Sequence, residues 1–312
     1  MFFSDVDNTY IMIRPLIVFC LLIFSCTVPK ETNTIGNLKI AVEEIFNTTK
    51  GDFAFAFVDL SNPSNQLLIN EKESFHAAST MKTPVMIELY RQASEGQFSL
   101  QDSILIKNSF KSIVDSSSYS MDIGEDSQEG LYNSIGDSTT IYHLMYEMIT
   151  KSSNLATNIL IELVDAKKVT TSMRTLGANK IEVLRGVEDQ KAYDQGLSNS
   201  TTAYDLMVIM KAIAEGTAAK NIADNKHMIE VLKNQKWNDM IPRFLPPSVE
   251  VAHKTGSITA LHHDSAIVFL PGGKKYVLIL LSKNLDDFDE GTTQLAHVSR
   301  LVYDFMDKLT TK

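Results

Sequence analysis

Past residue 26 the chain contains no cysteine: the only two, Cys20 and Cys26, sit in an N-terminal apolar segment. A structural disulfide, a thiolate-held zinc and a cysteine nucleophile are therefore excluded for the rest of the polypeptide. Runs of lysine or arginine are missing as well, and the net charge is −9 over 312 residues. A phosphate-binding surface needs clustered positive charge, so nucleic acid is not an expected partner. Tryptophan occurs once, at Trp237, and reads as a packing residue. What is present is a globular composition, with 44% apolar and 21% charged residues. That is enough for a sizeable core and too apolar for disorder.

The apolar run from Leu16 to Phe24 follows a single positive charge, Arg14, and precedes Ser25-Cys26. It falls far short of the ~20 residues of a spanning helix and fits the apolar region of an export signal. The ending Ile23-Phe24-Ser25-Cys26 resembles a bacterial lipobox, in which the cysteine is lipidated and becomes the new N-terminus. We read residues 1–26 as a lipoprotein signal, with membrane attachment through Cys26, and residues 27–36 as a polar tether. The acidic stretch before Met12 is unlike the start of such a signal, which makes Met12 an alternative start. The protein is expected in the bacterial cell envelope, periplasmic or membrane-anchored, as a monomer.

Residues 37–312 then read as one domain of two lobes. Ile35, Leu38, Val42 and Ile45 fall on one face of a helix. "DFAFAFVDL" alternates, and with "LLINE" after "SNPSNQ" it reads as a hairpin. The middle section is mainly helical, with Gly216 as a C-terminal stop. "VEVAHKTGSI", "DSAIVFL" and "KYVLILLS" read as strands, the last two joined at Pro271-Gly272-Gly273. A last helix carries Leu295, Val298, Val302, Phe305 and Leu309. This pattern predicts an α+β fold: a five-stranded antiparallel sheet closed by N- and C-terminal helices, with an all-helical lobe inserted.

In "HAASTMKTPVMIELY" the apolar stripe runs through Val85, Met86 and Leu89, and its first member is Lys82. Ser79 stands one turn back, at the start of the helix. A serine hydroxyl needs a base within reach, and a lysine serves once burial disfavours its charged form. The helix start adds free N–H groups beside the serine, suited to a developing oxyanion. In "KSSNLATN", Ser152, Ser153 and Asn154 lie between helical segments, where they cap a helix or face a cleft. In "HKTGS", Lys254, Thr255 and Gly256 lie on a strand, where glycine permits close backbone approach.

Ser79-Thr80-Met81-Lys82, Ser152-Ser153-Asn154 and Lys254-Thr255-Gly256, in that order, resemble the three motifs of the penicillin-recognising serine hydrolases, and most closely the class A beta-lactamases. The resemblance runs from about Ile35 to the C-terminus and implies the two-lobe beta-lactamase/transpeptidase-like fold. It implies that Ser79 is acylated, that Lys82 is its base or relay, and that Ser152 passes a proton to the leaving nitrogen. Asn154 would hold the substrate's side-chain amide, and Lys254 and Thr255 its carboxylate. The oxyanion would lie between the N–H groups of Ser79 and Ser257, the residue after Gly256. No cofactor is implied.

Three departures from the family pattern bear on turnover. Glu188 is the candidate for activating the deacylating water, but Ala192 stands where the family keeps an asparagine that holds that water. Arg185 is present, yet Asn199 occupies the place of its loop-tying aspartate, and Ser153 replaces the aspartate of the second motif. The leading reading is a serine beta-lactamase acting on small-molecule beta-lactams. The alternatives are a penicillin-binding D-alanyl peptidase or an esterase-like hydrolase, and a non-catalytic lipid-anchored binding module. Residues 111–137 read as a surface loop and His253 as structural. His262 and His263 are adjacent on a strand and point to opposite faces, so no metal pair is expected there.

Overall fold

The computed structural model describes residues 1–3, 33–127 and 129–310. Residues 4–26 of the segment read as a signal, Cys26 among them, lie outside these. The main elements run α1 (Ile35–Thr48), β1 (Asp52–Asp59), β2 (Gln66–Ile69), α2 (Lys82–Ser94), α3 (Ile141–Thr150), α4 (Asn154–Val164), α5 (Ala166–Thr175), α6 (Gln190–Asp194), α7 (Ala203–Glu215) and α8 (Ile222–Lys233). Then follow β3 (Glu250–Ile258), β4 (Leu261–Phe269), β5 (Lys275–Lys283) and α9 (Phe288–Thr310). Helix α1 begins inside the stretch read as tether, because the Thr34 hydroxyl caps it by accepting the Asn37 N–H at 3.2 Å. Among the described residues, no helix is long and apolar enough to cross a membrane.

The alternation in β1 makes two different surfaces from one strand. Phe53, Phe55 and Phe57 turn to one face, where they meet Leu38 and Val42 of α1 and Leu295, Val298, Val302 and Phe305 of α9. Ala54, Ala56 and Val58 turn to the other, where short side chains let α7 pack close against the sheet. The hairpin turn after β1 is held by Asp59, whose Oδ1 accepts the N–H groups of Ser61 and Asn62.

The five strands are antiparallel in the order β2-β1-β5-β4-β3. The first and last segments of the body thus close one sheet, with α1 and α9 covering one face. The helices between β2 and β3 form the second lobe. At its centre lies α2, in which every residue from Lys82 to Tyr90 is buried. Burial of Val85, Met86 and Leu89 stabilises the lobe by about 1.5–3 kcal/mol each. Pro84 is tolerated because it falls in the first helical turn, where its missing N–H has no intrahelical partner to lose. Helix α7 ends, as expected, on Gly216 in the left-handed conformation at φ 81°. Fold class and the five strands of the main sheet are as read from the sequence, but the region between β2 and β3 is not all helical, since short strand pairs such as Ser103–Leu105 with Ser138–Thr140 lie within it.

Candidate active site

Ser79 does not lie in the helix itself. It occupies a 3-10 turn, Ala78–Met81, that leads into α2 at Lys82. The turn is forced: Ala78 has φ 44°, a region costly for a residue with a Cβ. Three contacts hold it there. The Ala77 N–H donates to the Asn199 carbonyl at 2.8 Å, and the Ala78 N–H donates to His76 Nδ1 at 3.0 Å. His263 Nδ1 accepts the Ser282 N–H, which leaves Nε2 as donor to the His76 carbonyl at 2.9 Å. Burial drives the His263 pKa down to about 4, so this buttress is neutral.

Gly256 on β3 passes close behind the turn. A Cβ there would stand 2.9 Å from the backbone nitrogens of both Ser79 and Thr80. This is the close approach that the glycine permits, and it brings the strand carrying Ser257 against Ser79. The Ser79 N–H makes no backbone hydrogen bond among the described residues, so it stays available as a donor. Gly256→Ala is expected to destabilise the fold by about 1–3 kcal/mol through overpacking. It should also displace the Ser79 N–H, because the added Cβ presses on that backbone nitrogen. A thermal melt checks the loss of stability.

Lys82 is fully buried, so a snorkelling side chain is ruled out. Its Nζ donates to the Ser152 carbonyl at 2.6 Å and to Asn154 Oδ1 at 2.9 Å, and lies 3.2 Å from Ser152 Oγ. The sequence led us to expect contact between Lys82 and Ser79. Among the described residues no hydrogen bond joins them, because the amine is committed to the Ser152–Asn154 loop. Burial lowers the Lys82 pKa to about 7, against the opposing pull of the Asp126 and Glu188 carboxylates. Lys254 is likewise fully buried, and its Nζ reaches Ser152 Oγ at 3.0 Å and the Thr255 carbonyl at 2.8 Å. Burial, reinforced by the charge of Lys82, holds the Lys254 pKa well below the usual lysine range. Two amines therefore converge on one hydroxyl. Ser152 itself has φ 62°, which turns its carbonyl to Lys82.

Ser79 opens on two adjoining cavities that also share Asn154 and Ser257. One, of about 730 Å³, extends to Glu188 and Ile258. The other, of about 400 Å³, extends past Ser152 and Thr255 to Trp237 and Phe288. Trp237 is 47% exposed and lines this cavity, so the reading of it as packing is corrected: no core pocket encloses the ring.

Glu188 faces the same cleft. Its Oε1 accepts from Asn154 Nδ2 at 3.0 Å and its Oε2 from the Asp122 N–H at 3.1 Å. Burial raises its pKa, partly offset by those two donors. Ala192 is fully buried inside α6 and brings only a methyl group. Two side chains that sequence reasoning missed or undervalued fix the loop instead. Asn158, one helical turn beyond Asn154 on α4, accepts from the Val187 N–H at 2.7 Å and donates to its carbonyl at 3.0 Å. Asn199 accepts from the N–H groups of Leu184 and Arg185 and donates to the Arg185 carbonyl at 3.0 Å. Arg185 donates to the carbonyls of Leu197 and Gly186.

The remaining histidines fall where the strand geometry puts them. His253 turns to the opposite face from Lys254, bonding Asp264 at 3.0 Å and Asn238 at 3.2 Å. His262 points to Thr292 of α9 while His263 points to His76. The stretch 111–137 is more than a surface loop, since Asp126 from it is buried against the start of α4. Nothing local in the sequence marks that carboxylate among its acidic neighbours.

The Beta-lactamase enzyme family is matched over residues 37–306, and the chain belongs to that family. A protein of Bacteroides uniformis named beta-lactamase is 27% identical over 187 residues, 54% of this chain and 60% of that protein. The match thus spans less than two thirds of that relative. Among solved structures, a beta-lactamase from Sphaerobacter thermophilus DSM 20745 is similar at 24% identity and TM-score 0.73, covering 87% of this chain and 97% of the other. PBP-A is similar at 22% identity and TM-score 0.73, covering 87% of this chain and 96% of its own.

Proposed function

We propose that the chain is an exported serine beta-lactamase of the class A kind, opening the lactam amide through an acyl intermediate on Ser79. One observation carries the reading: an accessible hydroxyl, Ser79, shares a cleft with Ser152, on which two buried, pKa-lowered lysines converge. In acylation, Ser79 Oγ attacks the lactam carbonyl and its proton passes to the neutral Lys82 amine. The Lys82–Ser79 contact forms only once substrate is bound, as catalytic hydrogen bonds often do. The C–N bond breaks, Ser152 delivers a proton to the departing nitrogen, and Lys82 restores the Ser152 proton. The N–H groups of Ser79 and Ser257 receive the oxyanion. Asn154 holds the substrate's side-chain amide, and Lys254 and Thr255 draw in its carboxylate. Glu188 then takes a proton from water, the water oxygen adds to the ester, and Ser79 Oγ leaves and receives that proton back from Glu188. By the same reading, residues 1–26 export the protein and Cys26 carries a lipid.

A second reading is favoured by Ala192, which cannot help hold a hydrolytic water. There Ser79 serves a D-alanyl peptide or an ester, and a beta-lactam leaves a lasting adduct. Intact-mass spectrometry with a penicillin separates the two. A gain of the full penicillin mass that maps to the Ser79 peptide and disappears within the assay is the expected result. An adduct that persists favours the second reading, and no adduct under any condition overturns both.

A further inference from the structure

The second motif lacks its own acid, and the fold supplies one from elsewhere. Helix α4 starts at Asn154 with Ser153 as its cap, the Ser153 hydroxyl accepting from the Ala156 N–H at 3.2 Å. That leaves the N–H groups of Asn154 and Leu155 without intrahelical acceptors. Asp126 receives both, through Oδ1 at 3.0 Å and Oδ2 at 2.8 Å. Oδ2 also accepts from the Tyr132 hydroxyl at 3.2 Å and lies 3.4 Å from Ser153 Oγ. A carboxylate at a helix N-terminus makes charge-assisted bonds and is favoured by the helix dipole. Its neighbours brace the same motif: the Glu125 carbonyl accepts from Asn154 Nδ2 at 3.4 Å, and Ser127 donates to the Ser152 carbonyl at 3.5 Å.

We propose that Asp126 is a positioning residue, a carboxylate borrowed from the 111–137 loop that locks Ser152 and Asn154 in the geometry that engages Lys82. Three atoms that receive or contact the Lys82 amine belong to Ser152 and Asn154, so a loosened α4 start displaces all of them. The inference rests on Ser79 being the acylated nucleophile. Asp126 also acts through charge. The groups facing Lys82 are Asp126, Glu188 from the loop before α6, and Lys254 from β3. Removing the Asp126 charge favours the neutral amine, so the Lys82 midpoint must move to lower pH from about 7.

The test compares wild type, D126N and D126N/S153D. Because Ser153 Oγ lies 3.4 Å from the Asp126 carboxylate, an acid at position 153 would return a negative charge to the same helix start. D126N is expected to slow acylation by a penicillin about tenfold or more. It should also lower the Lys82 midpoint, read by 13C-lysine NMR without substrate, by about one unit. The double variant should regain most of both losses, and a cap that acted on structure alone would leave the Lys82 midpoint unmoved in D126N. Wild-type acylation and midpoint in D126N, or a double variant as impaired as D126N, would overturn the proposal. If D126N does not fold, D126E carries the comparison: slower acylation with an unmoved midpoint supports the role, and an unchanged rate overturns it. A wild type that never acylates sinks the Ser79 reading, and the substrate-free midpoint still judges Asp126.

Discussion

Replacing Ser79 with alanine is expected to end turnover of a chromogenic cephalosporin and to leave the protein folded. Losses of about 10⁶ in kcat follow removal of the nucleophile in well-studied serine hydrolases. The same order applies here if every bond to the substrate carbonyl begins at Ser79. Stability should change by no more than about 0.5 kcal/mol, because the hydroxyl is partly exposed and makes no hydrogen bond among the described residues. The turn that carries it is held by His76, His263 and Asn199 through backbone groups, which the substitution leaves in place. A spectrophotometric rate and a thermal melt on the two proteins check this. Residual hydrolysis near the wild-type rate would mean that another group attacks, and the proposed chemistry would fall.

Glu188→Gln separates the two halves of the reaction. The carboxylate now accepts two donors, Asn154 Nδ2 and the Asp122 N–H. A glutamine has one acceptor oxygen, so its NH2 must confront one of those donors, and it cannot take a proton from water. Loss of a positioned general base costs about 10²–10⁴ in rate. The expected result is a burst of acylation followed by a stall, with a covalent adduct that persists in intact-mass spectra. Acylation itself should change far less, since Lys82 keeps its bonds to Ser152. Equal turnover by variant and wild type would remove Glu188 from the mechanism. Some other route to water would then have to be found, because the Ala192 methyl offers none.

Much of the fold was legible because its periodicities are strong and local. Phe53, Phe55 and Phe57 alternate with small residues, and the two surfaces they predict are the two faces of the sheet. Lys82 on an apolar stripe is buried as read, since the whole first half of α2 is enclosed. The site was legible only where its residues are chemically distinctive. Asp126 was missed because its role depends on a loop folding back across 28 residues to reach Asn154. The Lys82 contacts are not legible for a similar reason: helical spacing sets which face a side chain shares, while φ 62° at Ser152 decides which oxygen meets it. Residue type alone points Trp237 to packing, and only its surroundings reveal the cavity wall.

The neutral clasp at Asn199 has a consequence for how this protein tolerates its surroundings. A loop tied by opposite charges loosens as ions screen them, and comes undone when acid discharges the carboxylate. Amide-to-backbone bonds carry no such dependence. The neck of the loop that presents Glu188 is therefore fastened by a joint that neither brine nor mild acid can unpick.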